Sequence, residues 1–294
     1  MRITENMMTE TMLRNLNVNT ERLEALQDQL TSGKRIRKPS DDPPAVALAL
    51  GFRAELDKTK QYVKNIDAAS SWLGTTDSSL DALSSLLLRA RELAVAGAND
   101  TLSAEDRQAM ANEVAQLLDQ AVVIGNSTYG DQYIFAGQKT TTPPFTLVAG
   151  PPEHVNYDGD SGAIVREIGA NAVLSINTTG DTVFPTAFKA LIGLKNALEA
   201  SDSDAVDASL SDVQQACNSV LAERAKVGAK VNRLEVAQSR LEDIRINIAE
   251  LLSKQEDVDM AEAVTHFSVA ESVYKAALAA GSRAVQPSLL DYLR

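Results

Sequence analysis

Residues 206–248 read VDASLSDVQQACNSVLAERAKVGAKVNRLEVAQSRLEDIRINI, and the spacing of their apolar side chains decides the fold. Val206, Val213, Val220, Val227, Leu234, Leu241 and Ile248 recur every seven residues, and Leu210, Cys217, Val231 and Leu252 partly fill the companion row. Such a repeat keeps one apolar stripe facing a partner helix along its whole length. A second seam lies near the start, where Met12, Leu16, Asn19, Leu23, Leu26 and Leu30 alternate steps of four and three. Leu56, Val63, Ile66, Leu73, Leu80 and Leu87 supply a third. Between the helical ends lies a stretch rich in Gly, Pro and Thr, so the chain can fold back with its two ends running together.

Composition agrees with helices that meet along thin seams. Of 294 residues, 44% are hydrophobic but only 4% aromatic, so the apolar content is mostly Ala, Leu and Val. The net charge is −12, and the one basic cluster, Lys34 to Lys38, sits beside Asp41 and Asp42. That balance argues against a nucleic-acid partner, which requires clustered Lys and Arg. No apolar run is long enough to cross a bilayer, so no membrane partner is expected. Arg2 to Thr20 alternates polar and apolar residues without a continuous apolar core. Read alone, this is a cytoplasmic chain without a cleavable signal, unless export uses an uncleaved amphipathic one.

The candidates for chemistry resolve into structural roles. Cys217, the single cysteine, lies on the helix seam as a small buried hydrophobe. His154 and His266 lack metal-ligand spacing, and Asp158 and Asp160 around Gly159 read as a turn rather than a calcium loop. Asp41 and Asp42, set between prolines, read as helix-capping groups rather than acid–base carboxylates. No phosphate loop occurs, so no enzyme activity, cofactor or metal is expected.

Five segments follow. Residues 1–43 are an amphipathic helix that ends near Gly33, then a Pro-rich break. Residues 44–130 are the first half of a helical rod, with a second helix starting at Ser103 and Asp106 placed for a capping box. Residues 131–185 carry strand signals such as Tyr133–Phe135, Val155–Tyr157, 164–168 and 173–176, with Tyr157 to Gly162 as the clearest hairpin turn. They predict one compact β unit. Residues 186–254 return to helix, and 255–294 continue the seam through Val264, Phe267, Tyr274 and Leu278 before Gly281 and Pro287 loosen the tail. The fold class is therefore mainly α with a small β insert. For residues 44–254 the seams read as internal packing. For the first 32 and last 40 residues they read as surfaces for assembly, where Met12, Leu16, Leu23, Leu26 and Leu30 meet Val264, Phe267, Tyr274, Leu278 and Leu290.

Several motifs resemble a known family. Leu30 to Ile36 (LTSGKRI), followed by Lys38-Pro39-Ser40-Asp41-Asp42-Pro43, resembles the N-terminal signature of the flagellin superfamily, with Ser32, Gly33, Ser40, Asp41 and Asp42 as its marks. Arg89 to Ala94 followed by Asn99 resembles that superfamily's first long rod helix. The stretch from Gly125 to Lys139, with Tyr133, Phe135 and Gly137, and the ending Pro287 to Leu293 are similar to the hook-associated protein 3 family more than to flagellin. Pro43-Pro44 departs from flagellins, and residues 146–184 match no motif.

The resemblance implies a long helical-rod bundle with terminal coiled-coil segments and an outer β-rich domain. It implies a structural adaptor at the hook–filament junction, exported by the flagellar type III route and assembled as a ring with itself. Its implied neighbours are a hook-associated protein on the hook side and flagellin on the filament side, with a cytoplasmic export chaperone at the C-terminal region. Two alternatives remain at this point. One is the flagellin filament subunit; the other is a helical-hairpin signalling or tethering protein with a ligand-binding β insert.

Overall fold

Two helices of 55 and 54 residues dominate the chain. The computed structural model describes residues 5–99, 101–148, 150 and 152–285. The helices are α1 (Glu5–Ser32), α2 (Pro43–Gly97), α3 (Ala104–Gly125), α4 (Phe184–Glu199), α5 (Ser203–Glu256) and α6 (Met260–Val285), with six short strands between α3 and α4. The architecture is mainly α with a small β insert, as the periodicity predicts.

Local chemistry sets the helix boundaries. The Asp42 carboxylate accepts the Ala45 amide at 3.1 Å and Pro43 opens the first turn of α2, where its missing N–H leaves nothing unpaired. Ser103 and Asp106 cap α3 reciprocally, each side chain accepting the other residue's backbone N–H. Asp202 accepts the Ala205 amide at 3.1 Å and starts α5.

The chain divides into two units, Met1–Asp57 with Arg245–Arg294, and Lys58–Ile244. The second holds the main core. Ile66, Leu73, Leu80 and Leu87 of α2 are buried with Val114 and Leu118 of α3, Leu191, Leu194 and Leu198 of α4, and the α5 seam from Val206 through Leu234. A fully buried Leu or Val contributes roughly 1.5–3 kcal/mol, so the seven-residue row accounts for much of the grip on α5. Cys217, in the companion row, is buried beside it, and burial raises its thiol pKa.

The β insert differs from the single unit that the sequence predicts. Strands β1 (Thr128–Tyr129) and β2 (Gln132–Tyr133), β3 (Phe145–Val148) and β4 (His154–Tyr157), and β5 (Val165–Gly169) and β6 (Ala172–Ser175) form three separate two-stranded antiparallel sheets. An aromatic nucleus joins the β3–β4 sheet to the chain that follows β2. Phe135, Phe145 and Tyr157 gather on Phe184 and Phe188 of α4, with ring centroids 4.8 Å apart for Phe135 and Phe184 and 5.2 Å for Phe145 and Phe188. The expected hairpin turn at Tyr157 to Gly162 is instead the connection from one hairpin to the next. There the Asp160 carboxylate accepts the amides of Gln138 at 2.7 Å and Gly162 at 2.9 Å, a long-range use of a residue type that locally signals a turn. Of the Tyr133–Phe135 run only Tyr133 is in a strand; Phe135 is buried in the nucleus.

Candidate assembly interface

The unit made of both chain ends is built on α1 and α6, which pack together. On α1 the half-buried side is Met12, Leu16, Asn19, Leu23, Leu26 and Leu30, the row with alternating steps of four and three. On α6 the inward side is Ala263, Phe267, Ala270, Tyr274, Ala277 and Gly281, again with alternating steps of four and three. Small residues dominate it, so the helices approach closely. A β-carbon on Gly281 would overlap the Met12 methyl group. Gly281 is therefore a packing residue inside a helix, not a point where the tail loosens.

Two residues expected on this seam lie elsewhere. Val264 is 49% exposed and Leu278 45%, one position around the helix from the Ala263 and Ala277 that point inward. Size misleads here, since the larger apolar side chains face out and alanines make the close contact. Met7, Leu13 and Val18 of α1 are likewise exposed. Leu290 lies outside the described residues. The helix pair thus has an apolar face satisfied within the chain and a second apolar set that is not.

The connectors between the helices are stitched to each other. Gly33 takes the left-handed backbone conformation (φ +68°) and donates its amide to the Gln29 carbonyl, ending α1, while the Ser32 hydroxyl donates to the Asp28 carbonyl at 2.7 Å. Arg35 then donates its amide to the Glu256 carbonyl at 2.6 Å, and Val258 donates to the Gly33 carbonyl at 3.1 Å. Side chains reinforce this short ladder. Lys34 Nζ lies 2.6 Å from Asp257 and 3.2 Å from Glu256, and Arg53 reaches both Glu256 oxygens at 2.8 Å. Glu256 is 3% exposed. The hydrogen bond with Asp257 holds the Lys34 pKa above its ordinary value, and the same bond, helped by Ser253, holds Asp257 below its own.

The remaining N-terminal signature residues shape the turn that follows. Asp41 accepts the backbone amides of Lys38 at 2.9 Å and Arg37 at 3.1 Å, which lowers its pKa, and Ser40 lies in the same turn. Asp42 caps α2. In the other unit, Tyr133 ends β2 half-buried, and the Phe135 carbonyl accepts both the Gly180 amide and the Tyr157 hydroxyl. Burial, then the charge of Asp181, pushes the Tyr157 pKa up to about 12. Gly137 has φ +70°, and a β-carbon there would overlap the Asp160 carbonyl.

His266 lies 3.3 Å from Glu262 on the same helix, and His154 lies 3.0 Å from the Pro152 carbonyl. Among the described residues no group of His, Cys, Asp and Glu has a metal-holding arrangement, and no helix is long and apolar enough to cross a membrane. The arrangement is suited to helix-to-helix association. Sequence reasoning missed Arg53, Glu256, Ala263 and Gly281; only the four–three spacing of 263, 267, 270, 274, 277 and 281 signals the last two.

The family model for the bacterial flagellin N-terminal helical region matches residues 3–140, and that for the C-terminal helical region matches residues 210–293. The chain is similar to flagellar hook-associated protein 3 of Escherichia coli strain K12, 27% identical over 277 residues that take in 85% of this chain and 86% of that protein. It is also similar to flagellin of Bacillus subtilis strain 168, 28% identical over 281 residues and 91% of each chain. Among solved structures, the flagellar junction protein FlgL of Legionella pneumophila shares the fold, with a TM-score of 0.60 at 18% identity over 71% of this chain and 99% of that one.

Proposed function

Because the chain belongs to the flagellin superfamily, in its hook-associated protein 3 branch, we propose that it is a structural adaptor of the bacterial flagellum that joins hook to filament. The observation that carries the mechanism is the two-sided terminal helix pair. One apolar face is closed within the chain, and further apolar side chains on both helices, Met7, Leu13, Val18, Val264 and Leu278, are left exposed. Exposed apolar side chains on these helices gain burial only when further copies stand alongside. Copies then form a ring, with residues 1–43 and 255–294 as the assembly segments, 44–130 and 186–254 as the rod, and 131–185 as the outer domain. A hook-associated protein adjoins the ring on the hook side and flagellin on the filament side.

Export by the flagellar route precedes assembly, with a chaperone covering the C-terminal region until release. That sequence of events is supported by the exposed residues of α6, which would otherwise associate early. Flagellin remains the second reading, favoured by the 28% identity to the Bacillus subtilis filament protein. Cells lacking this protein separate the two. The adaptor reading expects hooks without filaments and flagellin shed into the medium; normal filaments would overturn it, and loss of the filament protein itself from the medium would favour flagellin.

A further inference from the structure

Residues 15–20 of α1 read NLNVNT, the poorest helix-forming run in that helix. Asn, Val and Thr all rank below Ala, Leu, Glu, Gln and Arg, because they lose rotamers against the preceding turn or compete for its backbone groups. The runs on either side are better. Before it, Glu10 and Arg14 pair one turn apart; after it, residues 21–30 (ERLEALQDQL) hold only Asp28 from the poorer group. The weakness in the helix coincides with one in the packing. Asn19 is the one polar member of the inward row Met12, Leu16, Asn19, Leu23, Leu26 and Leu30, is half-buried, and has no hydrogen-bond partner among the described residues. Beside it lies a cavity of about 50 Å³, lined by Asn19 and Arg22 of α1 and by His266, Val269, Ala270 and Val273 of α6. A polar side chain at a seam position costs stability in the pair that carries it.

This point divides the helix pair into unequal halves. On the connector side the α1 row is all leucine (Leu23, Leu26, Leu30) and Ala263 of α6 is 3% exposed. The amide bonds from Arg35 to Glu256 and from Val258 to Gly33 close that end. On the chain-end side Met12 and Leu16 carry the row, and the Met12 methyl rests on Gly281, a residue type that weakens a helix interior. We propose that residues 15–20 are a hinge. The half nearer the chain ends, 5–14 with 274–285, opens as one unit while the connector half stays closed. In the proposed assembly, opening frees Met12, Leu16, Tyr274, Ala277 and Gly281 to meet a neighbouring copy, while the clasp between the connectors is kept. That use rests on the assembly reading; the opening itself does not.

Native-state amide exchange of the full chain tests the hinge, and filament counts test its use. The amides of residues 9–14 and 276–284 should exchange at one common rate, about tenfold or more faster than those of 24–32 and 264–270, with the step at 15–20. Rates that rise smoothly toward the chain ends, as fraying alone gives, would overturn the hinge. Asn15→Ala with Asn17→Ala alters two exposed positions and should slow the faster set about tenfold through helix propensity alone. Asn19→Leu, which extends the leucine row, should slow that set further and remove the step. Neither variant should change exchange at 24–32. A step that survives both variants refutes the hinge. In cells, the triple variant Asn15→Ala, Asn17→Ala, Asn19→Leu should be exported yet lower filaments per cell about tenfold, in line with the smaller open fraction. A wild-type count from a chain whose step is gone would overturn the role of opening in assembly; normal filaments in cells lacking the protein would sink the adaptor reading itself.

Discussion

Replacing Glu256 by Gln tests how firmly the two connectors hold each other. The carboxylate is 3% exposed and contacts Arg53 through both oxygens and Lys34 through one. Gln keeps the volume and the backbone ladder, but presents an N–H₂ where one cation now finds an oxygen. Removing one partner of a fully buried pair costs about 3–5 kcal/mol. Here the Arg53 and Lys34 side chains are 56% and 40% exposed and rehydrate when released. The loss is therefore discounted to about 2 kcal/mol. Because a 294-residue chain with two units need not unfold in one step, native-state amide exchange is the suitable assay. The reporters are the Arg35 and Val258 amides, which donate to the Glu256 and Gly33 carbonyls. Both should exchange about thirtyfold faster in Glu256→Gln, one decade for each 1.4 kcal/mol. Arg53→Met should add little once Glu256 is Gln, a non-additivity of about 1 kcal/mol. An acceleration below about threefold at both amides would refute the view that this carboxylate anchors the connectors.

Three further perturbations probe the same regions. Gly281→Leu should weaken the α1–α6 pair by about 1–3 kcal/mol through overpacking, and Met12→Ala in the same chain should recover part of that; unchanged exchange along α6 would exclude the close approach. Gly137→Ala places a β-carbon on the Asp160 carbonyl at positive φ, so the insert's base should lose about 2 kcal/mol or more, read as faster exchange of the Gly180 amide. In a pH titration, the contribution of Asp257, whose pKa is lowered, is complete above the ordinary carboxylate value of 3.8 and is lost as pH falls through the lowered value. That of Lys34, whose pKa is raised, is complete below the ordinary 10.5 and is lost as pH rises through the raised value. The Val258 amide shift should stay flat between those limits, and Asp257→Asn should abolish the acidic limb.

The parts of this fold legible in sequence are those where one local rule suffices. The seven-residue row on α5 needs only the helix period, and Val206 through Leu234 are buried as it requires. The start of α3 needs only Ser103 and Asp106. The rest depends on partners far along the chain. Alanine is neutral in a hydrophobicity reading, so Ala263 and Ala277 lose to Val264 and Leu278 until the opposing helix is placed. Glu256 has the look of one more solvated acid near a helix end; its burial arises because Lys34 and Arg53 arrive from more than 200 residues away. Asp160 likewise suggests a turn, and its actual work is to hold the Gln138 amide.

These failures have a common direction that bears on assembly. In unit 2 the large apolar side chains of the seams face inward, as a self-sufficient core demands. On α1 and α6 several face outward, and the inward contact on α6 is left largely to small residues. A chain selected only to fold alone would gain by exchanging those positions, placing Val264 and Leu278 inside and alanine outside. The arrangement found packs the pair through small residues and leaves apolar area exposed, which the proposed assembly would bury. In the proposed assembly the connectors would serve the same end, since bonds between residues 33–35 and 255–258 tie α1 and α6 to each other. A subunit whose two ends were tied separately could dock one terminal helix and leave the other unplaced; in the proposed assembly the Glu256 clasp would make that half-docked state costly.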